Sequence, residues 1–342
     1  MNFISDNAYG ASAQILAALG AASDGTAPSY GDDALTARVT TRLSVIFEHE
    51  LAAYPVVTGT AANSLALATL CPPYGAIFCH AGSHIAVDEC AAPEFFSGGA
   101  KLVLLEGAGG KITPASIEAA LPRFQSGVHS PKASAISITQ STELGTVYSL
   151  DEVAAIGACA RKHGMALHMD GARFANALAH LKCEPADITW KAGVDALSFG
   201  ATKNGALCAE AVVLFDTARA QEFEYRRKKA GHLLSKMRFI SAQLDAYLDG
   251  DLWLKQAAQA NALTRRLADG LHGVAGVSLA HPVQANEVFA WMPAAMAARL
   301  HARGAQFYDW EIAPDGRIMA RLVLSFATPE KDVAAFVDAA RA

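Results

Sequence analysis

Through the first 215 residues, short and nearly continuous apolar runs alternate with stretches of helical spacing. Seven runs, at 54–57, 76–80, 101–105, 133–139, 166–170, 196–199 and 209–215, predict strands. A strand covered on both faces reads this way, because neither face needs polar residues, and it belongs in a mostly parallel sheet. Helical spacing fills the gaps. Leu35, Val39, Leu43, Ile46 and Phe47 form one stripe over 33–49. Thr113-Pro114 reads as an N-cap followed by proline at the first helical position. Ser149-Leu150-Asp151-Glu152 has capping-box spacing, with a helix end expected near Gly164. This alternation predicts an α/β domain with right-handed crossovers.

Beyond Phe215 the pattern changes. Residues 217–249 carry long helical periodicity and the basic run Arg226-Arg227-Lys228-Lys229, which reads as a solvated face at Arg226 and Arg227. A helix over 253–271, strands near 277–280, 286–292 and 318–326, and a last helix opened by Thr328-Pro329 predict a smaller α+β domain. The expected domains are 1–249 and 250–342, divided near Gly250.

Composition narrows the classes. The 342 residues include 28 Lys+Arg and 33 Asp+Glu, a formal charge of −5, with 18% charged and 52% hydrophobic residues. That excludes a disordered chain, a collagen-like repeat and a disulfide-stapled mini-protein. The mildly acidic balance argues against a nucleic-acid partner, which needs a basic footprint. No uncharged apolar run reaches the roughly 18 residues of a membrane span, and the start Met1-Asn2-Phe3-Ile4-Ser5-Asp6 does not read as a signal peptide. Six scattered cysteines, without a C-x-x-C pair, read as reduced thiols in a reducing, cytoplasmic compartment, and no metal ligands are assigned. Many apolar and few charged residues fit a chain that hides surface between subunits.

Three features carry candidate chemistry. Thr58-Gly59-Thr60-Ala61-Ala62-Asn63 follows a strand and opens a helix, where small residues let backbone N–H groups approach an anion; an ordinary capped turn reads the same. Asp170, in His168-Met169-Asp170-Gly171-Ala172-Arg173, ends an apolar strand, where ligands sit in parallel sheets; a helix-capping role is the plain alternative. Lys203, in Gly200-Ala201-Thr202-Lys203-Asn204-Gly205, stands on a glycine-bounded turn after a strand and suits a Schiff-base amine, although a lone loop lysine is usually just solvated. In this order along the chain, anion loop, strand-end acid and turn lysine match the phosphate, ring nitrogen and aldehyde carbon of pyridoxal 5'-phosphate.

With these residues in view, the chain resembles the L-threonine aldolases, fold-type-I pyridoxal-phosphate enzymes of the aspartate aminotransferase superfamily. The resemblance covers nearly the whole chain. Its most specific stretches are Tyr30-Gly31-Asp32-Asp33, Ser83-His84-Ile85, His168-Met169-Asp170-Gly171-Ala172-Arg173-Phe174-Ala175-Asn176-Ala177 and Ser198-Phe199-Gly200-Ala201-Thr202-Lys203-Asn204-Gly205. It implies a mostly parallel seven-stranded sheet flanked by helices, with a smaller C-terminal domain and an N-terminal segment that reaches the substrate.

It also implies roles. Lys203 would hold the cofactor aldehyde, Asp170 its ring nitrogen, and Gly59 and Thr60 its phosphate. His84 would stack on the ring. Ser5, Arg173 and Arg321 would hold the substrate carboxylate, with Arg173 also among the cofactor's contacts. His129 would be the base or water activator, with His84 as the alternative. Lys229 and Arg238 would reach a neighbouring subunit's phosphate, and Tyr30 its substrate, which places the site at a dimer interface, in an expected homotetramer. The implied reaction is reversible retro-aldol cleavage of L-threonine, L-allo-threonine and related β-hydroxy-α-amino acids to glycine and an aldehyde. A phenylserine aldolase, a β-eliminating lyase or a cofactor-free binding protein on the same fold are the other readings. Three stretches depart from the family pattern: Thr58-Gly59-Thr60 where many members have Ser-Gly-Thr, Gln140-Ser141-Thr142-Glu143-Leu144-Gly145-Thr146 where many have a Thr-His-Asn triplet, and Gly231-His232-Leu233-Leu234, which lacks a glycine triplet.

Overall fold

All seven expected strands form and pair into one sheet. In spatial order they are β1 (Ala52–Val56), β7 (Glu210–Leu214), β6 (Ala196–Gly200), β5 (Ala166–Gly171), β4 (Lys132–Thr139), β2 (Gly75–His80) and β3 (Lys101–Leu105). β2 to β6 pair in parallel, while β7 is antiparallel to both β6 and β1, so it alone is reversed. The computed structural model describes residues 1–342.

The helices are α1 (Ala13–Ala21), α2 (Ala34–Ile46), α3 (Gly59–Leu70), α4 (His84–Val87), α5 (Ala92–Ser97), α6 (Pro114–Ala120), α7 (Leu150–Lys162), α8 (Phe174–Leu181), α9 (Ala220–Lys229), α10 (Arg238–Leu248), α11 (Leu252–Leu271), α12 (Ala294–Ala302) and α13 (Glu330–Arg341). No helix is long and apolar enough to cross a membrane. Local signals set several ends. Thr113 caps α6 with Pro114 at its first position, and Ser149 and Glu152 form the expected reciprocal cap on α7, which stops just before Gly164. The periodic stretch 217–249 divides into α9 and α10, because Gly231 takes a positive φ of 79° and turns the chain. At Thr328-Pro329 the proline precedes α13 in extended conformation, and the Thr328 hydroxyl accepts the Ser325 N–H instead of capping the helix.

A second, antiparallel sheet has the order β10 (Tyr308–Ile312), β11 (Ile318–Val323), β9 (Glu287–Met292), β8 (Ser278–Leu279). β10 and α12 have no counterpart in the sequence reading. β10 is an exposed edge strand, so its Tyr-Asp-Trp-Glu-Ile run never needed a buried apolar face.

Two main cores result, and α11 belongs to both. Trp253 and Ala257 pack in the core of the larger sheet, whereas Leu263, Leu267 and Leu271 pack in that of the smaller. The amino terminus joins the smaller unit. Phe3 donates its N–H to Gln306 and accepts from Val323, while its ring meets Phe336 edge-on at 5.3 Å. The cores therefore separate within α11 instead of at Gly250, and residues 1–3 group with the C-terminal part. From there the chain crosses Ser5 to Asn7 towards the ends of the larger sheet's strands.

Candidate active site

The carboxyl ends of β1, β4, β5 and β6, with the amino end of the reversed β7, share one edge of the sheet. There the backbone leaves each strand with unpaired groups, so ligands find a place. Thr58 follows β1 in extended conformation and caps α3, its hydroxyl accepting the Ala61 N–H at 3.1 Å. Gly59 and Thr60 are the first two residues of the helix, whose N–H groups have no partner one turn back. A Cβ built on Gly59 would meet nothing within 4 Å. The helix terminus thus opens onto a cavity of about 390 Å³.

Asp170 ends β5 and is buried. Its carboxylate accepts Asn63 Nδ2 and the Ala172 N–H, at 2.8 and 2.9 Å. The Asn63 amide also donates to Glu89 Oε1 at 2.8 Å, and that same oxygen lies 2.8 Å from His84 Nδ1. Asp170, Asn63, Glu89 and His84 form one hydrogen-bonded chain beside the cavity. The Glu89 bond raises the His84 pKa against the opposing effect of burial. Burial raises Glu89 as well. The His84 backbone N–H and the Thr139 hydroxyl both donate to Glu143 Oε1, at 2.7 and 2.9 Å. Burial, helped by the Asp170 charge, pushes Glu143 up to about 7.

Lys203 rides on the single turn Thr202–Asn204 after β6. Asn204 pins that turn to the core by donating to Tyr247 Oη at 2.7 Å and to the Trp253 carbonyl at 2.8 Å. The turn closes at Gly205, whose φ of 107° suits glycine and whose missing Cβ makes room for the Gln256 amide. The ammonium acts on Asp6 and Glu210, favouring their ionised forms. Burial nevertheless pushes Glu210 up to about 7.

An adjoining cavity of about 520 Å³ shares His84, Glu143, Arg173 and Lys203 with the first and is closed by the small domain. Arg173 is buried and bound to Asp6 through Nε at 2.8 Å, with Glu287 3.6 Å away. Arg321 on β11 pairs with Glu287 at 2.6 Å, and its guanidinium lies 5.1 Å from the centre of the Trp310 ring. Ser5 lines the same space.

Eight of the twelve residues singled out from the sequence line these two cavities: Gly59, Thr60, Asp170, His84, Arg173, Lys203, Ser5 and Arg321. Four do not. His129 is exposed on the turn Gly127–His129 ahead of β4. The site meets the far end of that strand, at Thr139, so His129 stands about 20 Å away along it, on the opposite edge of the sheet. The expectation of His129 as base is thereby corrected for its own chain's pocket: a residue entering a parallel strand lies on the edge away from the site. Tyr30, with a positive φ of 59°, borders a separate cavity of about 480 Å³. Lys229 is exposed at the end of α9, and Arg238 reaches the Gly25 carbonyl and lies over the Phe239 ring, in neither cavity. Arg227 departs from the solvated reading. It is buried, with its guanidinium 4.9 Å from the centre of the Tyr54 ring, and two of its nitrogens have no partner. Arg226 does lie at the surface, paired with Glu222.

Asn63, Glu89, Glu143, Glu210 and Asp6 were assigned no role from the sequence. The one available signal was an acid within an otherwise apolar stretch, as at Glu210 between Ala206 and Leu214.

The residues present fit pyridoxal phosphate. Asp170 is a buried carboxylate with no cationic side chain paired to it, suited to a protonated ring nitrogen. The α3 terminus suits a phosphate dianion, and Lys203 supplies an amine in the same cavity. Fold and site together define a pyridoxal-phosphate enzyme of fold type I. Comparison with known proteins agrees. Residues 2–295 match the beta-eliminating lyase family. The chain is 47% identical over 309 residues to a low specificity L-threonine aldolase of Pseudomonas aeruginosa, covering 90% of this chain and 89% of the relative. It is 45% identical over 332 residues to a low specificity L-threonine aldolase of a Pseudomonas species, covering 97% and 94%. The threonine aldolase of Leishmania major superposes with a TM-score of 0.94 at 28% identity, over 99% of this chain and 98% of that one. A serine palmitoyltransferase of Sphingomonas wittichii, at a TM-score of 0.73 and 17% identity, covers 100% of this chain and 86% of its own and shares the fold alone. The chain therefore belongs to the beta-eliminating lyase family of pyridoxal-phosphate enzymes, where its near relatives are low specificity L-threonine aldolases.

Proposed function

We propose that this chain is a low-specificity L-threonine aldolase, cleaving L-threonine, L-allo-threonine and related β-hydroxy-α-amino acids reversibly to glycine and an aldehyde. The observation that carries the reading is the convergence of Lys203, Asp170 and the α3 terminus on one cavity beside an arginine-lined second one. Pyridoxal phosphate, when bound, supplies an electron sink at the amino acid's Cα.

The chain's own residues do the rest. Gly59 and Thr60 N–H groups hold the phosphate. Asp170, fixed by Asn63 and the Ala172 N–H, keeps the ring nitrogen protonated. Arg173 and Arg321, with Ser5, would grip the substrate carboxylate and so fix how the amino acid presents its Cα bonds in the cavity. Orientation of this kind contributes up to about 7–11 kcal/mol. Asp6 holds Arg173 Nε, which fixes the guanidinium before substrate arrives. His84 is the base that takes the β-hydroxyl proton, since it lines both cavities while His129 stands at the other edge.

Tyr30, Lys229 and Arg238 serve the pocket of a neighbouring subunit, and His129 has a route to a pocket only across a subunit boundary. The assembly is a homotetramer with sites at dimer interfaces. Six free cysteines support a cytoplasmic location. Co-expressing Lys203→Ala with Arg238→Ala subunits tests the interface: mixed oligomers regain activity only when Arg238 acts in trans.

The deciding experiment follows the visible band of bound coenzyme and the products from L-threonine. Glycine and acetaldehyde in equal amounts support the aldolase reading. A 2-oxo acid with ammonia identifies a β-eliminating lyase, and a colourless protein that binds no coenzyme refutes both.

A further inference from the structure

Glu89 follows His84 by five residues and its side chain is wholly buried. One of its oxygens accepts from two sides, from the His84 ring at Nδ1 and from the Asn63 amide, each at 2.8 Å. The other hydrogen of that amide goes to Asp170. A single side-chain amide therefore ties the carboxylate of the histidine to the carboxylate of the ring nitrogen. His84 Nε2 has only Asp88 near it, at 3.4 Å, and that carboxylate is mostly solvated.

We propose that Glu89 is a positioning residue for aldol cleavage: by accepting the Nδ1 hydrogen of His84 it leaves the lone pair on Nε2, the atom that takes the β-hydroxyl proton. This role rests on the aldolase reading. A neutral imidazole carries one N–H, and the stronger acceptor decides which nitrogen bears it. A buried, fixed carboxylate wins over a solvated one. In the step itself, the hydroxyl proton passes to Nε2 and the O–H pair becomes the second bond of the aldehyde carbonyl. The Cα–Cβ pair stays with the amino-acid fragment, which takes up one proton at Cα to become glycine, so no net proton is consumed. The imidazolium formed meanwhile is paired with Glu89. The charges facing His84 are Glu89 and Asp88 from its own segment, Glu143 after β4, Asp170 at the end of β5 and Lys203 after β6.

The test uses the full chain with and without coenzyme, labelled with carbon-13 at histidine, the His84 resonance being assigned by its loss in His84→Asn. Glu89→Gln keeps an acceptor for both His84 and Asn63 but removes the charge. His84 is expected to titrate lower than in the wild type, and the acid limb of kcat/KM to move down with it. Glu89→Leu removes the acceptor; kcat is expected to fall about 10–100-fold while KM for L-threonine and the visible band stay near wild type. An unchanged His84 titration in Glu89→Gln, or wild-type kcat in Glu89→Leu, overturns the proposal. Should Glu89→Leu fail to fold, the Glu89→Gln titration decides. A wild-type protein that makes no glycine and acetaldehyde overturns the aldolase reading and this role with it. An active enzyme whose limb ignores Glu89→Gln overturns the role alone.

Discussion

Removing the Asp6 carboxylate strands a guanidinium that the fold has taken out of water. Arg173 is 8% exposed and Asp6 3%. Nε lies 2.8 Å from one Asp6 oxygen and Nη2 3.2 Å from the other, and Asn286 donates to Asp6 at 3.1 Å. Breaking one side of a buried pair costs about 3–5 kcal/mol. Glu287 remains 3.6 Å from Arg173, and the cavity admits some water, so Asp6→Ala belongs near the lower figure, about 3 kcal/mol. With an unfolding entropy of about 2.1 cal/mol/K per residue, that corresponds to a fall of about 4 °C in the thermal midpoint for a chain of this length. Burial works to raise the Asp6 pKa, but the charges of Arg173 and Lys203 and the bonds from Arg173 and Asn286 outweigh it and hold the carboxyl below its usual range. The folded value lies under the unfolded one. The stabilisation is therefore complete above the unfolded pKa near 4 and disappears as pH falls through the folded value. Calorimetry of the coenzyme-loaded enzyme at fixed concentration, at neutral pH and then in acid, reads both features. The gap between wild type and Asp6→Ala should close in acid, and KM for L-threonine should rise severalfold as Arg173 loses its anchor. A variant that melts with the wild type at neutral pH would show that Arg173 is effectively solvated and that Asp6 adds nothing to stability.

Lys203→Ala is expected to lose the visible band of covalently held coenzyme; a variant that keeps both band and turnover would show that another amine does the work. Glu210 is pushed up to about 7 by burial, so its penalty is absent below the unfolded carboxyl pKa near 4.5 and grows as pH rises towards 7. Glu210→Gln should therefore melt above the wild type at about pH 8, by up to about 3 kcal/mol, and with it at about pH 4, as a pH series of thermal midpoints will show. Gly157 on α7 lies so close to the Ala192 carbonyl that a Cβ would overlap it. Gly157→Ala should then lose about 1–3 kcal/mol despite its better helix propensity, measured by denaturant unfolding.

Much of the framework was legible because its causes are local. An apolar run without alternation is a strand covered on both faces wherever it falls, and all seven such runs joined the sheet. Caps at Thr113 and Ser149 depend on residues three apart, so they read directly from the chain. Asp170 and Lys203 stood out because each follows an apolar run at the end where parallel sheets bind ligands. The edge strand β10 was invisible for the converse reason: with no covered face, it leaves no apolar signature.

His129 shows where such reading ends. The family resemblance implied a base there, yet His129 precedes β4, and the common direction of the strands puts that end on the opposite edge. Arg227 looked, with Arg226, like part of a solvated face until α9 turned it onto Tyr54. The pairing of Asp6 with Arg173 and Asn286 joins residues far apart in the chain, and the bridge from Asp170 through Asn63 and Glu89 to His84 joins three strand ends. By itself the chain determined its strands, helix caps and chemical inventory, because these depend on neighbours within a few residues. Only the tertiary structure decided which acids are buried, which cation each one holds and which histidine reaches the pocket, because those follow from strand order and direction, which place distant residues within hydrogen-bonding range.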